Sequence, residues 1–202
     1  MGFGWEESRR AFADAAAQFV RTAALVGNRW DAPGLGEWDV RALVGHTSRS
    51  MLTVEAYLAK PAAAVEVATP AGYVRATSAI SAGEAVAQRG REAGAALGAD
   101  PAAAVADIAA RVVPLVEARD AGELLTTIAG GMRLADYLPT RTVELAVHTA
   151  DLAVALGEPP TVPASAAAQA LRIVAELAVD RDLAGPLLLA ATGRTVPPFS
   201  VL

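Results

Sequence analysis

Roughly every fourth residue of this chain is alanine, and that bias restricts what it can fold into. Alanine is the strongest helix former, because it loses no side-chain entropy in a helix. Leucine, arginine and glutamate add to the same preference, whereas strictly alternating β-branched runs are scarce. Apolar residues also recur at helical steps. Phe12, Ala16, Phe19, Ala23 and Val26 mark a first helix expected over Glu6 to Val26, with Gly27-Asn28 as its stop. Asp39 stands where an N-cap belongs and opens a second helix to about Ala59. A third is expected over Ala71 to Leu97, with Gly83, Gly90 and Gly94 counting against it. The Asp100-Pro101 pair starts another towards Ala118, which Pro114 should bend or end. Strong helical signals cover Leu134 to Leu156, stopped by Gly157, and Ala164 to Val179. Leu124 to Ile128 reads as a short strand, and the tail from Leu183 as a short helix with an extended end. The expectation is an all-α bundle with minor extra helices, one short strand pair at most, and a single domain over residues 1–202.

Composition excludes several functions. With 53% hydrophobic and 19% charged residues, the chain is not a disordered tract. A net charge of −5 argues against nucleic acid as a partner, since phosphate binding wants a basic face. The mean hydropathy of +0.35 raises the question of a membrane, but no run approaches the roughly 20 apolar residues a span needs. The start, MGFGWEESRR, has no basic stretch leading into an apolar run, so a cytoplasmic protein is expected. There is no cysteine, hence no disulfide, no thiolate metal site and no cysteine nucleophile. A catalytic sulfur would have to come from another molecule.

The chain has only two histidines. His46 lies in WDVRALVGHTSRS, at the edge of the stripe formed by Val40, Leu43, Val44, Met51, Val54 and Leu58. His148 lies in RTVELAVHTADLAVAL, four residues after Glu144, which puts the carboxylate and the imidazole on one helical face. Leu138, Leu145, Leu152 and Leu156 line one side of that helix, and Val143, Val147 and Val154 another. A helix apolar nearly all round belongs inside a bundle, where unpartnered polar groups are costly. A shared cation would satisfy both groups, and bundles build metal sites from inward Glu and His on facing helices. The pattern points to His46, Glu144 and His148 as ligands, with coordination left open. Asp151 and Arg141, one turn to either side, are the candidate supports. Spacing alone also fits a solvated Glu–His helix pair, so that alternative stays open.

These residues carry a resemblance. GEWDVRALVGH (Gly36 to His46) and RTVELAVHTADLAVALG (Arg141 to Gly157) resemble two segments of the DinB-like superfamily, specifically the actinobacterial mycothiol-dependent maleylpyruvate isomerase family in its N-terminal, metal-binding domain. The resemblance implies four main helices and a divalent metal, zinc first among them, on His46, Glu144 and His148. It also implies mycothiol as a thiol cosubstrate, whose metal-bound thiolate attacks an electrophile. The full isomerases carry a further C-terminal domain, and Leu202 lies about where that domain would begin, so a general thiol transferase is expected ahead of maleylpyruvate isomerisation itself. The expected partners are a small-molecule thiol and an electrophilic substrate, with a homodimer left open. Arg49, Arg133 and Tyr137 are candidate thiol- or substrate-binding residues, while Trp30 and Trp38 are expected to pin their loop onto the bundle. The rival functions are a non-catalytic metal-binding or interaction bundle and a metal-dependent hydrolase.

Overall fold

A computed structural model describes residues 3–78 and 84–201. Among these residues, eight helices and one hairpin follow one another in the order α1 (Trp5–Ala24), α2 (Val40–Leu58), α3 (Pro70–Thr77), α4 (Glu84–Ala96), α5 (Pro101–Glu117), β1 (Leu124–Thr127), β2 (Gly130–Arg133), α6 (Leu134–Ala155), α7 (Ala164–Asp180) and α8 (Ala184–Ala191). The helix starts have local causes. The Asp39 carboxylate accepts the Ala42 N–H at 2.7 Å, and Asp100 caps α5 through the Ala103 N–H at 3.0 Å. Proline occupies the first position of α3 and of α5, where no intrahelical N–H is needed. Gly157 ends α6 at a φ of 75°, a conformation that favours glycine.

Four helices form the central bundle. Both α1 and α2 pack against α5 and against α6, closing a ring around Phe12, Phe19, Leu43, Met51, Val112, Leu138, Leu145 and Leu152. Beyond the ring, α7 covers α1 and α6, α3 covers α6 and α7, and α4 lies along α2. That arrangement explains why α6 is apolar nearly all round: it is enclosed by α1, α2, α3 and α7. Val154 is the exception. Expected on a buried side, it is 62% exposed, because it sits in the last turn, beyond the packed neighbours.

The third helix differs from its expectation. Residues 70–77 and 84–96 form separate helices, and positions 79–83, Gly83 included, lie outside the described residues. The glycines that count against α4 are what let it pack. A Cβ on Gly45 of α2 would lie 2.1 Å from the Gly94 nitrogen, and one on Gly94 would lie 2.7 Å from the Arg41 carbonyl oxygen. The two backbones touch directly. Pro114 also departs from expectation: α5 runs three residues past it to Glu117, and the Ala118 N–H still reaches the Pro114 carbonyl. The loss of one donor in a final turn is tolerated.

The expected strand is half of an antiparallel hairpin, with Leu125 opposite Met132 and Thr127 opposite Gly130. Both Leu125 and Met132 are fully buried under the bundle. The Glu66 carboxylate accepts the Gly131 N–H at 2.6 Å and holds the hairpin to the α2–α3 connection. Strand β2 runs straight into α6, with Arg133 at the helix start. Among the described residues, no helix is long and apolar enough to cross a membrane.

Candidate metal centre

Helices α2 and α6 meet along a polar seam in an otherwise apolar bundle. On α6, Tyr137, Arg141, Glu144, His148 and Asp151 follow one another at steps of four and three, so all five share one face. On α2, His46, Arg49, Thr53 and Tyr57 do the same. The helices run antiparallel: His46 Nε2 lies 3.7 Å from Glu144 Oε2, while the Tyr137 hydroxyl donates to Thr53 Oγ1 at 2.9 Å. The seam therefore brings His46 to Glu144 and His148, about a hundred residues away in sequence.

Their donor atoms lie within 4.8 Å of one another. His148 Nε2 is 3.4 Å from the same Glu144 oxygen, and its Nδ1 faces Asp151 Oδ2 at 3.0 Å. A proton on Nδ1, donated to Asp151, leaves the Nε2 lone pair directed at the cluster. Ligands of a tetrahedral zinc with bonds near 2.0 Å stand about 3.3 Å apart, close to the 3.4 and 3.7 Å between the imidazoles and Glu144. Each imidazole keeps 18% of its side-chain surface exposed and Glu144 keeps 36%, so the cluster is open on one side. No fourth acidic or imidazole donor joins the three among the described residues. Two imidazoles and a carboxylate, aimed at one point and reachable from solvent, fit a divalent metal.

The electrostatics separate the two histidines. Burial disfavours the charged form of both. For His148 it is outweighed by Asp151 and Glu144, which hold the imidazole pKa up at about 9. For His46 burial wins, helped by the charges of His148 and Arg49 and opposed by Glu144, and its pKa lies below the ordinary 6.5. Burial also opposes the Glu144 carboxylate, yet His148, His46 and Arg141 keep it well below the usual carboxylate range. His46 Nδ1 is buried with no hydrogen-bond partner among the described residues, so its Nε2 is the nitrogen offered to the seam.

Trp38 forms a wall of the site. Its ring lies 4.5 Å from the His46 ring and 6.4 Å from that of His148, and its Nε1–H donates to the Ala87 carbonyl at 3.0 Å. The indole thus pins its loop to α4, as expected of it, and also covers the imidazoles. The sequence reading had no signal for that second role, since Gly90, the residue beneath the ring, is distant in the chain. Trp30 packs against the core, with the Arg41 guanidinium over its ring at 5.7 Å.

The other candidates divide. Asp151 meets His148, as described. Arg141 makes no ion pair with Glu144 within 4 Å; its guanidinium sits 5.2 Å from the Tyr73 ring and 5.1 Å from that of Tyr137, and acts on Glu144 through its charge. Arg49 stands one turn beyond His46 on the seam face. Two lie away from the donor atoms. Arg133 is at the α6 start, paired with Asp136 at 3.3 Å, and its eleven-residue separation from Glu144 is about 16 Å of helix. Tyr137 is on the correct face but fully buried, with its hydroxyl engaged by Thr53, so it supports the wall without presenting a free group. Sequence reasoning also missed Tyr57 and Tyr73, which pack with Tyr137 at ring distances of 5.4 Å and bring all three tyrosines of the chain to this seam. Thr47 and Ser48, next to His46, donate to carbonyls one turn back and are not available for chemistry.

A cleft of about 840 Å³ lies elsewhere, lined by Glu6, Arg9, Arg10, Asp14, Glu117 and Ser165. Its groups pair among themselves: Arg9 with Glu6 and the Glu117 carbonyl, Ser165 with Asp14. It contains no imidazole.

Residues 7–153 match the family described as Mycothiol maleylpyruvate isomerase N-terminal domain, a span that includes α2, all but the last two residues of α6, and His46, Glu144, His148 and Asp151. No curated protein and no solved structure matches the chain.

Proposed function

The chain belongs to the mycothiol maleylpyruvate isomerase N-terminal domain family, and on that footing we propose that its seam binds one divalent metal, zinc by preference, and joins a low-molecular-weight thiol to an electrophilic small molecule in the cytoplasm. The thiol is mycothiol, and the enzyme is a metal- and thiol-dependent transferase or isomerase-like catalyst. One observation carries this reading: three donor atoms from two helices converge within 4.8 Å on a face left open to solvent. A site of purely structural purpose would be closed by a fourth donor.

When bound, a divalent metal lowers the pKa of a thiol, so that sulfur reaches the site as thiolate near neutral pH. The residues of the chain prepare for that. Asp151 holds a proton at His148 Nδ1, which fixes the ring and keeps Nε2 free. Glu144 contributes one negative charge between the imidazoles. Trp38 shields both rings from water on one side. No hydroxyl beside His46 is free to act as an internal nucleophile, and the chain has no cysteine, so the nucleophile is brought in.

Purified protein should carry about one divalent ion per chain, and His148→Ala should lose it; unchanged metal content by elemental analysis would falsify the site. Mycothiol at saturating concentration should raise the melting temperature of the zinc-loaded protein. Equal melting curves with and without the thiol would remove it from the mechanism.

A further inference from the structure

Helix α7 is apolar on two sides. Its inner face, with Ile173 and Leu177, is buried on the bundle beside Val143. Its outer face carries Ala164, Ala168, Leu171, Ala175 and Val179 at steps of three and four, and all five are exposed. Leu171 keeps 66% of its surface in solvent and Val179 keeps 65%. The charged residues of the helix, Arg172, Glu176 and Asp180, fall at steps of four along one edge between these faces. A helix with two apolar faces has use for two packing partners, and the bundle supplies only one.

The next helix shows the same imbalance. Helix α8 has no charged residue and none that is buried. Leu183 and Leu187 pack on the cluster that holds Ile173 and Leu177, which leaves Leu188 66% and Leu189 47% exposed. Four of the eight large apolar side chains exposed among the described residues therefore lie between positions 171 and 189. Together with the exposed alanines they present on the order of 600 Å² of apolar surface, the upper end for a monomer. Joining two such patches would remove on the order of 1,200 Å² from water, enough for a specific interface.

We infer that the outer face of α7 docks a second copy of this chain, with the two α7 helices antiparallel about a two-fold axis level with Ile173. In that arrangement the face is self-complementary, as a two-fold contact requires. Leu171 of one copy stands opposite Ala175 of the other, and Ala168 opposite Val179, so each large side chain meets a small one. The charged edge fits too. Arg172 pairs with Glu7 and Asp180 with Arg75 inside the chain, whereas Glu176, between them, has no hydrogen-bond or ion-pair partner among the described residues. Across the antiparallel pair, Glu176 faces Arg172 of the other copy, twice over by symmetry, which fixes the register. The seam of α2 and α6 takes no part in this contact, so the inference is independent of the proposed chemistry.

Sedimentation equilibrium of the whole chain up to about 100 µM, well above the micromolar end for interfaces of this size, should give twice the 20.6 kDa of one copy. Leu171→Glu and Val179→Glu should each weaken the dimer at least tenfold, whereas Leu25→Glu, at a 51% exposed position just past α1, should leave it unchanged. All three positions are exposed, and unaltered far-UV dichroism checks that the variants fold. Arg172→Glu should also weaken the dimer, and adding Glu176→Arg should restore it. Because the chain has no cysteine, introduced ones report the register. A mixture of Leu171→Cys and Ala175→Cys chains should form disulfide-linked dimers in air faster than either variant alone. A chain that stays monomeric at that concentration overturns the inference; if it sediments with phosphatidylcholine vesicles instead, the occupant of the face is a lipid surface. A dimer indifferent to both Leu171→Glu and Val179→Glu overturns the assignment to α7. Cross-linking no faster in the mixture than in the separate variants overturns the antiparallel pairing.

Discussion

Replacing Gly90 by alanine adds one methyl group where the seam has no room for it. The new Cβ would lie 2.6 Å from Cε2 and Nε1 of Trp38 and 2.8 Å from its Cζ2. Ordinary carbon contacts begin near 3.5 Å, so the indole must withdraw by roughly 1 Å. That movement is opposed on both sides. The ring is anchored by the Nε1–H to Ala87 hydrogen bond of 3.0 Å, and its opposite face lies against the His46 ring at 4.5 Å. Overpacking of this kind costs about 1–3 kcal/mol and loss of the hydrogen bond about 1 kcal/mol. The better helix propensity of alanine returns about 1 kcal/mol. The net expectation is a loss of about 1–3 kcal/mol, which for a chain of this size lowers the melting temperature by roughly 2–10 °C. Because the displaced indole borders a candidate ligand, zinc affinity should also fall about tenfold, the lower range for groups that orient a metal ligand. Gly185→Ala is the control, since nothing lies within 4 Å of its Cβ position and only helix propensity changes. Scanning fluorimetry gives the stability, and competition with a chelator of known affinity gives the zinc constant. A Gly90→Ala protein as stable as the control, with unchanged zinc affinity, would refute the claim that Gly90 sets the position of Trp38 and hence of His46.

Zinc binding should release about one proton near pH 7, because the metal displaces the proton that Asp151 and Glu144 hold on His148 up to a pKa of about 9. Zinc affinity should therefore climb between pH 7 and 9 and then level off; calorimetry in buffers of different ionisation enthalpy reads the proton count, and a count of zero contradicts the arrangement. In metal-free protein the same raised pKa stabilises the fold below the ordinary histidine value of 6.5, and this contribution is lost as pH rises through about 9. Melting temperatures across that window should fall for the metal-free protein and stay level with zinc bound. Asp39→Ala should cost about 1 kcal/mol by removing the cap of α2, seen as a lower denaturant midpoint with an unchanged slope.

Much of this architecture was legible along the chain because it depends on local chemistry. The caps at Asp39 and Asp100, the stop at Gly157 and the apolar steps of α1 each act within one or two turns. The Glu144–His148 pair was visible for the same reason, since a spacing of four places both on one face. What could not be read was contact between helices distant in sequence. Gly90 and Gly94 weaken α4 as an isolated helix, and only the approach of α2, with Gly45 facing Gly94, turns that weakness into close packing. The tyrosine cluster is similar: Tyr57, Tyr73 and Tyr137 sit on three helices, and no local pattern links them. Arg133 illustrates the opposite case: it adjoins α6 in sequence, yet at the start of a long helix it is several turns from the cluster.

The polar face of α6 also bears on how stability and chemistry divide the same residues. Five polar side chains on one face of an enclosed helix are unfavourable for packing, and the fold accommodates them by pairing rather than by exposure. At one end, Tyr137 closes on Thr53 with neutral groups and needs nothing further. At the other, Asp151, His148, Glu144 and His46 form a chain in which the protonated His148 offers Nδ1–H to Asp151 and Nε2–H to Glu144. On the proposed reading, the Nε2 proton and a divalent ion compete for one position. The metal-free protein would then fold with the ligand geometry already set by the protonated ring. Asp151→Asn separates the two roles: it removes the negative charge that favours the protonated ring but leaves all three donors in place. Metal-free stability should then fall by more than zinc-loaded stability does, whereas equal losses in the two forms would mean that the proton does not hold the metal's place.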